Sequence, residues 1–572
     1  MLTKINFRFV KMIALIIALT AIVYYGTLNN SFVGDDAAII VNNAFIKNKQ
    51  NLPLVFSKEY LTSLKDLNFQ GTRDTGAGEI SYRPVVTLSY FLDYRLWKLN
   101  AFGYHLTNLI LHIINALIIF YLVNLITAKP IAGFISALLF ALHPVNTEVV
   151  SAICFREDLL AFLFFTASLV FYISAQKSSG RKSKLNYLMS LGLFFPALFS
   201  KEMAVTLPLV LILYDYYFGV NKKHISVVGI KKYAGYFIIL AVYFLFWGVI
   251  FKNPNPPAGY PGGNFYTNIL TMTGVIADYI RWAIAPVGLH FLVTEPHLIK
   301  QHFSPEVLAS FLTIAVCLAT AFKMRKTAKV MSFAIAWFFV TLFPVMNIFP
   351  IKHIIGLRYL YLPIAGFCIF LALALLRITN KKAADIAVAV VFLAYSILTT
   401  ARIPVWKDNI SLWSEITVCY PDNHFAHYGL GEVYLKNKML NQAIGEFKVS
   451  AKFNAKDARL YYKIGDLCAE VNKNQEAENA YKKAIELNPG YFEAYNNLAA
   501  LYSQTGRTEE AISLWSKAVN IQPRFAIAHF NLSIFYFQNK QYDLAVKHAD
   551  KVLACGGKID PVYLKMLEPY RK

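Results

Sequence analysis

Lys4-Ile5-Asn6-Phe7-Arg8-Phe9-Val10-Lys11, then the apolar run Met12 to Tyr25, then Ser31-Phe32-Val33-Gly34-Asp35-Asp36, open a 572-residue chain and decide how the rest of it is read. The apolar run is long enough for a membrane anchor, and its flank carries Lys4, Arg8 and Lys11. Basic flanks stay on the cytoplasmic side, so the two aspartates emerge on the opposite face. With no small-x-small cleavage site between run and aspartates, the segment reads as an uncleaved anchor. Adjacent carboxylates at a bilayer surface are costly to desolvate. They either do chemistry or cap a following turn.

The composition agrees with a membrane protein bearing one soluble appendage: 56% of residues are hydrophobic and 16% charged. The formal charge of +22 suggests nucleic acid at first sight. Residues 406–572 hold 21 Lys+Arg against 18 Asp+Glu, a balance of +3, so +19 belongs to the membrane part. There it sits in short loops, Lys177/Arg181/Lys182/Lys184, Lys222/Lys223/Lys231/Lys232, Lys323/Arg325/Lys326/Lys329 and Arg377/Lys381/Lys382. That is the positive-inside pattern, and no nucleic-acid partner is expected. Cys154, Cys317, Cys368, Cys419, Cys468 and Cys555 have neither metal spacing nor a disulfide framework.

Placing the basic loops in the cytoplasm orders eleven spans, near 10–27, 104–126, 131–146, 158–175, 186–200, 203–220, 233–251, 305–322, 331–349, 357–376 and 384–402. The N-terminus is then inside and the C-terminus outside. Two further apolar segments, about 268–287 with Asp278 and Arg281, and Val85 to Leu99, mix charge with helical spacing. They are expected to lie along the outer interface or to re-enter. Asn253 to Gly263, rich in Pro and Gly, reads as a mobile external flap.

From about residue 423 a period of 34 residues takes over. Gly431, Gly465, Ala499 and Ser533 share one column, Ala443, Ala477, Ala511 and Ala545 another, and Pro489 and Pro523 a third. Small residues where paired helices cross, with a proline in the closing turn, are the tetratricopeptide (TPR) pattern. The fold class is therefore all-α: residues 1–405 a polytopic helical membrane domain, 406–422 a junction, 423–560 four TPR repeats stacked as an α-solenoid, and 561–572 a tail. The solenoid is expected to engage an acceptor protein, with Tyr495, Asn496, Asn497, His529 and Asn531 either lining its groove or packing it.

The external ends of the spans collect the unusual polar residues. They comprise Asp35 and Asp36, Arg83 before Pro84, His143 and Glu148 in one string, Arg156-Glu157-Asp158, Lys201-Glu202, and Lys352, His353 and Arg358. Cations and carboxylates at headgroup depth suit transfer from a lipid-linked phosphate, the cations holding phosphate and a carboxylate serving the acceptor. Transporters place ionisable groups at mid-span, where this chain has few. Each residue also has an architectural reading. Lys201 and Lys352 could snorkel, Arg156 and Asp158 could pair with each other or a neighbour, and His143 could bond a helix end.

Several strings in order resemble the transmembrane and tetratricopeptide-repeat (TMTC) family. They are Phe32-Val33-Gly34-Asp35-Asp36 with Asn42; Arg83-Pro84 with Leu88-Ser89-Tyr90; His105-Leu106-Thr107-Asn108 with Leu111-His112; Leu142 to Val150; Arg156 to Ala161; Ser200-Lys201-Glu202; Arg358 to Pro363; and Trp406-Lys407-Asp408-Asn409 with Leu412-Trp413. The resemblance spans essentially the whole chain. It implies a GT-C glycosyltransferase fold and, from the eukaryotic members, O-mannosylation of protein hydroxyls from a dolichyl-phosphate sugar. Only four repeats and short loops with few cysteines point to a bacterial member in a plasma membrane, using a polyprenyl-phosphate sugar. The resemblance implies Asp35 or Asp36, with Glu148 beside them, as general base for the acceptor or as the holder of it and any metal ion; Asp35 is favoured, being the first of an acidic pair like the catalytic one of GT-C enzymes. Arg358, Lys201 and Arg83 would bind the donor phosphate, with His143, Arg156, Asp158, Glu202 and His353 supporting. No organic cofactor is expected, and a divalent cation is left open. The alternative is a non-enzymatic membrane-anchored TPR scaffold.

Overall fold

A computed structural model of the chain describes residues 7–57, 60, 82–219, 227–250, 259–291, 304–351 and 353–571. Lys4, Lys222, Lys223, Lys352 and most of the expected flap, residues 253–258, lie outside the described residues. The chain divides into two compact units, Met1–Glu415 and Ile416–Lys572. Among the described residues both are helical and neither contains a strand.

The first unit is built on α1 (Phe7–Tyr24), α2 (Pro84–Trp97), α3 (Ala101–Thr127), α4 (Pro130–Leu142), α5 (Thr147–Ser151), α6 (Arg156–Gln176), α7 (Gly180–Leu198) and α8 (Leu207–Phe218). It continues with α9 (Val227–Ile250), α10 (Phe265–Ile284), α11 (Pro305–Met324), α12 (Lys329–Leu342), α13 (Ile364–Leu375) and α14 (Lys381–Arg402). Each predicted span falls on one of these helices. Among the described residues five stretches, Phe7–Asn29, Ala101–Thr127, Ile153–Gln176, Pro305–Met324 and Lys381–Trp406, are long and apolar enough to cross a bilayer alone, and α4 with Pro144–Ser151, bent by 49°, makes a sixth if the bent pair is one span. The count falls below the expected eleven in part because several helices are short. α8 and α13 have 12 residues each, about 18 Å at roughly 1.5 Å per residue against a ~30 Å hydrocarbon core.

Local chemistry sets the helix ends that matter for the site. Pro84 and Pro130 occupy first helical turns, where a missing N–H costs no hydrogen bond. α3 begins at Asn100, whose side chain accepts from Phe102 N, and stops at Ala128 in the left-handed region, two residues before Pro130. α4 runs through the middle, ten of its 13 residues buried, as expected of a helix apolar all round. Close approach to α3 depends on Gly133, where a Cβ would meet Phe120 O at 2.6 Å. α10, expected at an interface, keeps Asp278 and Arg281 exposed as an i,i+3 pair at 3.3 Å and buries its other face, with Asn268 bonded to Asn347.

The second unit contains four antiparallel pairs: α15 (His424–Lys436) with α16 (Leu440–Phe453), α17 (Ala458–Glu470) with α18 (Asn474–Leu487), α19 (Phe492–Gln504) with α20 (Thr508–Ile521), and α21 (Ala526–Gln538) with α22 (Tyr542–Ala554). A final helix, α23 (Pro561–Leu567), follows. The 34-residue columns mark where partner helices cross. Ala443, Ala477, Ala511 and Ala545 are fully buried, and a Cβ on Gly431 or Gly465 would lie 2.6 Å from the ring of Phe447 or Tyr481. Asn531 donates to Asn496, Asn496 to Asn497, and Asn497 to Tyr462 and Asp466, a polar ladder joining the first helices of three successive repeats. These asparagines therefore bond to one another and to Tyr462 and Asp466.

Candidate active site

Five consecutive residues at the head of α6 gather the site. Cys154 N–H donates to Asp36 Oδ1 at 2.7 Å. The Phe155 ring lies 4.9 Å from the Arg358 guanidinium. Arg156 pairs with Asp93, Glu157 with Arg83 and Lys201, and Asp158 with Lys201. The reason is local: a short 3-10 turn, Ile153–Phe155, feeds α6 with no apolar residue between Arg156 and Asp158, so three charged side chains leave one helical turn in different directions.

The two aspartates sort into different environments. Gly34, at φ +53°, makes the turn that presents them, and its N–H donates to Asn409 Oδ1 at 2.8 Å. Asp36 is fully buried, and its second oxygen accepts from Val33 N–H at 3.0 Å. Burial pushes its carboxyl up to about 7 against those two hydrogen bonds, which favour the charged form. Asp35 is only partly buried; its carbonyl accepts from Ala38 and Ile39 N–H and so starts the following helical turn. Asp36 thus ties the loop down, and Asp35 is the carboxylate nearer to solvent.

The predicted cations are held by carboxylates. Arg83 donates to Glu157 and, at 3.1 Å, to Glu202. Lys201 is 4% exposed, with Nζ 2.6 Å from Asp158 and 3.1 Å from Glu157, and 5.5 Å above the Tyr359 ring. It does not snorkel. Burial lowers its affinity for a proton, with Asp158 opposing that. Arg358 meets Glu148 at 3.3 Å and lies 4.9 Å from the Tyr359 ring. Arg83, Glu202, Glu157, Lys201 and Asp158 therefore form one network, and Tyr359 lies against both its Lys201 and the Arg358–Glu148 pair.

Other predicted residues are architectural in this geometry. Arg156 is fully buried and uses Asp93, Asn108, Ser89 and the Tyr104 carbonyl; it does not pair with Asp158. His143 donates from Nε2 to Ala283 O at 3.1 Å while Nδ1 accepts from Val145 N–H, the helix-end role. His353 offers its carbonyl to Tyr359 OH at 2.8 Å. Sequence reasoning passed over Asp93, which lies within an apolar helix, and Arg402, which ends the last apolar run as Arg358 begins the one before. Arg402 could have been found by the same rule that picked Arg358.

A bundle with at least five membrane-length apolar helices, joined to a stack of helix pairs at a 34-residue period, defines a polytopic membrane protein with a TPR solenoid. Tetratricopeptide-repeat profiles match residues 458–491, 480–513 and 501–558. The relatives carry the name further. The chain is 26% identical over 454 residues to Protein O-mannosyl-transferase F38B6.6 of Caenorhabditis elegans, covering 76% of this chain and 61% of that protein. It is 24% identical to Protein O-mannosyl-transferase TMTC3 of Mus musculus, covering 83% and 54%, and 25% identical to TMTC1 of Homo sapiens, covering 79% and 56%. This chain is a homologue of the TMTC proteins, as its motifs indicate, and spans between 54% and 61% of the length of these three. Among solved structures, MamA shares 28% identity at a TM-score of 0.25, covering 26% of this chain and 86% of that one.

Proposed function

We propose that the chain is a GT-C-type membrane glycosyltransferase that moves a mannose-like sugar from a polyprenyl-phosphate carrier to a protein Ser or Thr hydroxyl on the external face of the membrane. The relatives' names support sugar transfer to protein. The observation that carries the reading is the gathering of Asp35–Asp36, Glu148, Arg358, Lys201 and Arg83 around one helix head, from segments far apart in sequence.

In this reading the acceptor oxygen attacks the anomeric carbon, and the bond from that carbon to the phosphate oxygen breaks. The hydroxyl proton passes to Asp35, and the bonding pair leaves on the phosphate. A hydroxyl is far more basic than a carboxylate, so proton transfer accompanies attack, and a positioned base contributes ~10²- to 10⁴-fold. Arg358 faces the phosphate, and stabilising the leaving charge is the larger electrostatic contribution. In-line displacement inverts the anomeric configuration. Lys201 and Arg83 hold Glu157, Asp158 and Glu202 in place around that centre. The repeats present the acceptor.

Purified protein with polyprenyl-phosphate mannose and an acceptor peptide tests the reading, together with mass spectrometry of exported proteins from cells with and without the chain. Hexose on exported proteins in both strains, with no transfer in vitro, would sink it. Orientation is read by introduced cysteines: positions near Gly259 and Thr505 label with an impermeant reagent from outside, and one near Ser179 does not.

A further inference from the structure

Arg402 closes α14, and its guanidinium is only partly used. Nη1 donates to Glu415 Oε1 at 2.9 Å. Nε and Nη2 are buried and have no hydrogen-bond partner among the described residues, and neither has Glu415 Oε2. The side chain is 12% exposed. Buried guanidinium donors without acceptors are rare, because each costs its full desolvation.

The surroundings place this group beside the proposed site. The 3-10 turn Ile403–Trp406 that follows Arg402 packs on α5, the helix that carries Glu148. Glu148 feels the charge of both Arg358 and Arg402. The other cations are committed: Arg156 to Asp93 and three further acceptors, Arg83 to two carboxylates, and Lys201 to two carboxylates. Arg358 and Arg402 each pair with a single carboxylate, Glu148 at 3.3 Å and Glu415 at 2.9 Å. His290 also approaches Glu415 Oε1, at 3.8 Å, so the carboxylate oxygen nearest Arg402 is shared.

Building on the glycosyltransferase reading, we infer that Arg402 is a second phosphate-binding arginine, acting on the charge that appears as the sugar leaves. A polyprenyl-phosphate sugar is a phosphodiester with one negative charge. Cleavage of its bond to the anomeric carbon yields a phosphomonoester, whose second ionisation lies near pH 6 (about 6 for a phosphate monoester). One arginine suits the diester, and a second with open donors suits the extra charge of the leaving group. An interaction that strengthens as the bond breaks raises the rate of transfer rather than ground-state binding.

The test uses the full-length protein in detergent with farnesyl phosphate as probe and farnesol as the uncharged control. Arg402→Ala is expected to weaken farnesyl phosphate binding at pH 7.5 at least tenfold, with farnesol unaffected and the thermal midpoint checked for each variant. Arg402→Lys should recover part of that loss. Glu415→Gln frees the guanidinium and should bind farnesyl phosphate as tightly as wild type or more so. Equal binding by wild type and Arg402→Ala overturns the inference. So does equal weakening in Arg402→Ala and Glu415→Gln, which would make the pair a structural brace. Failure of the wild-type protein itself to bind farnesyl phosphate would instead bring down the donor reading, and this inference with it.

Discussion

Asp36 Oδ1 accepts a hydrogen bond from the backbone N–H of Cys154 at 2.7 Å, joining the loop after the first helix to the head of α6 across 118 residues of sequence. With Val33 N–H on the other oxygen, Asp36 acts as a clasp, while Asp35 beside it is only partly buried and is the acid proposed for the chemistry.

The pair should therefore separate by variant. In Asp36→Asn the amide nitrogen faces a buried N–H and cannot accept from it, a loss of about 1–3 kcal/mol of stability at pH 5. Burial raises the Asp36 carboxyl to about 7, so its proton is held more tightly in the fold. Its contribution is full below the usual carboxylate range and fades as pH rises through 7, so the gap between wild type and Asp36→Asn narrows at pH 8. Asp35→Asn should cut turnover by ~10²- to 10⁴-fold in protein that still folds, as thermal melts check. A stable but inactive Asp36→Asn with an active Asp35→Asn would reverse the assignment.

Arg358→Ala removes the guanidinium proposed to face the donor phosphate while Glu148 remains. Donor affinity should fall by about 2–5 kcal/mol if the phosphate is desolvated there. The measurement is a titration with the donor lipid, and unchanged affinity would take the phosphate role away from Arg358.

Arg156 and Asp93 are a buried ion pair at 2.5 Å. Arg156→Met strands Asp93 without its cation and should cost roughly 3–5 kcal/mol. Adding Asp93→Asn should restore part of that, because the stranded charge is gone. Thermal unfolding of the two variants reads the difference.

In the solenoid, His427 and His529 lie three repeat periods apart, and both donate from Nε2 to a proline carbonyl, that of Pro421 or Pro523. Their other nitrogens differ: His427 faces Glu446 at 2.7 Å, whereas His529 faces His548 at 2.9 Å. Burial lowers His529, and burial, His529 and nearby Lys547 bring His548 down to about 4; Lys551 adds to the effect on His529. A histidine kept neutral by the fold stabilises above its unfolded pKa and loses that contribution as pH falls from about 6.5 towards 4. Amide exchange in α21 and α22 should therefore rise over that range. His548→Glu should reverse the trend and add about 1 kcal/mol at pH 6.

Gly465 has no room for a side chain, since a Cβ would sit 2.6 Å from the Tyr481 ring. Gly465→Val should push α17 off α18 and cost roughly 1–3 kcal/mol. Circular dichroism melts of the full chain would detect it, and a wild-type midpoint would count against the crossing described for this repeat.

Much of this protein is written in local patterns. The 34-residue columns place small residues where helices must cross, and hydrophobic length with basic loops marks the apolar helices, because both signals repeat along the chain and depend on neighbours a few residues away. The partners at the site are of another kind. Arg156, Glu157 and Asp158 are consecutive, yet they face Asp93 and Arg83 on α2 and its N-cap and Lys201 in the turn after α7, and no spacing in the sequence carries that choice. The same holds for the two aspartates. They are adjacent and identical in sequence, and only the fold, by bringing Cys154 N–H to one of them, makes Asp36 a buried clasp and leaves Asp35 toward solvent. Long-range electrostatic pairing is selected by the whole packed bundle, since a charge finds its partner only after burial has removed water as the competitor.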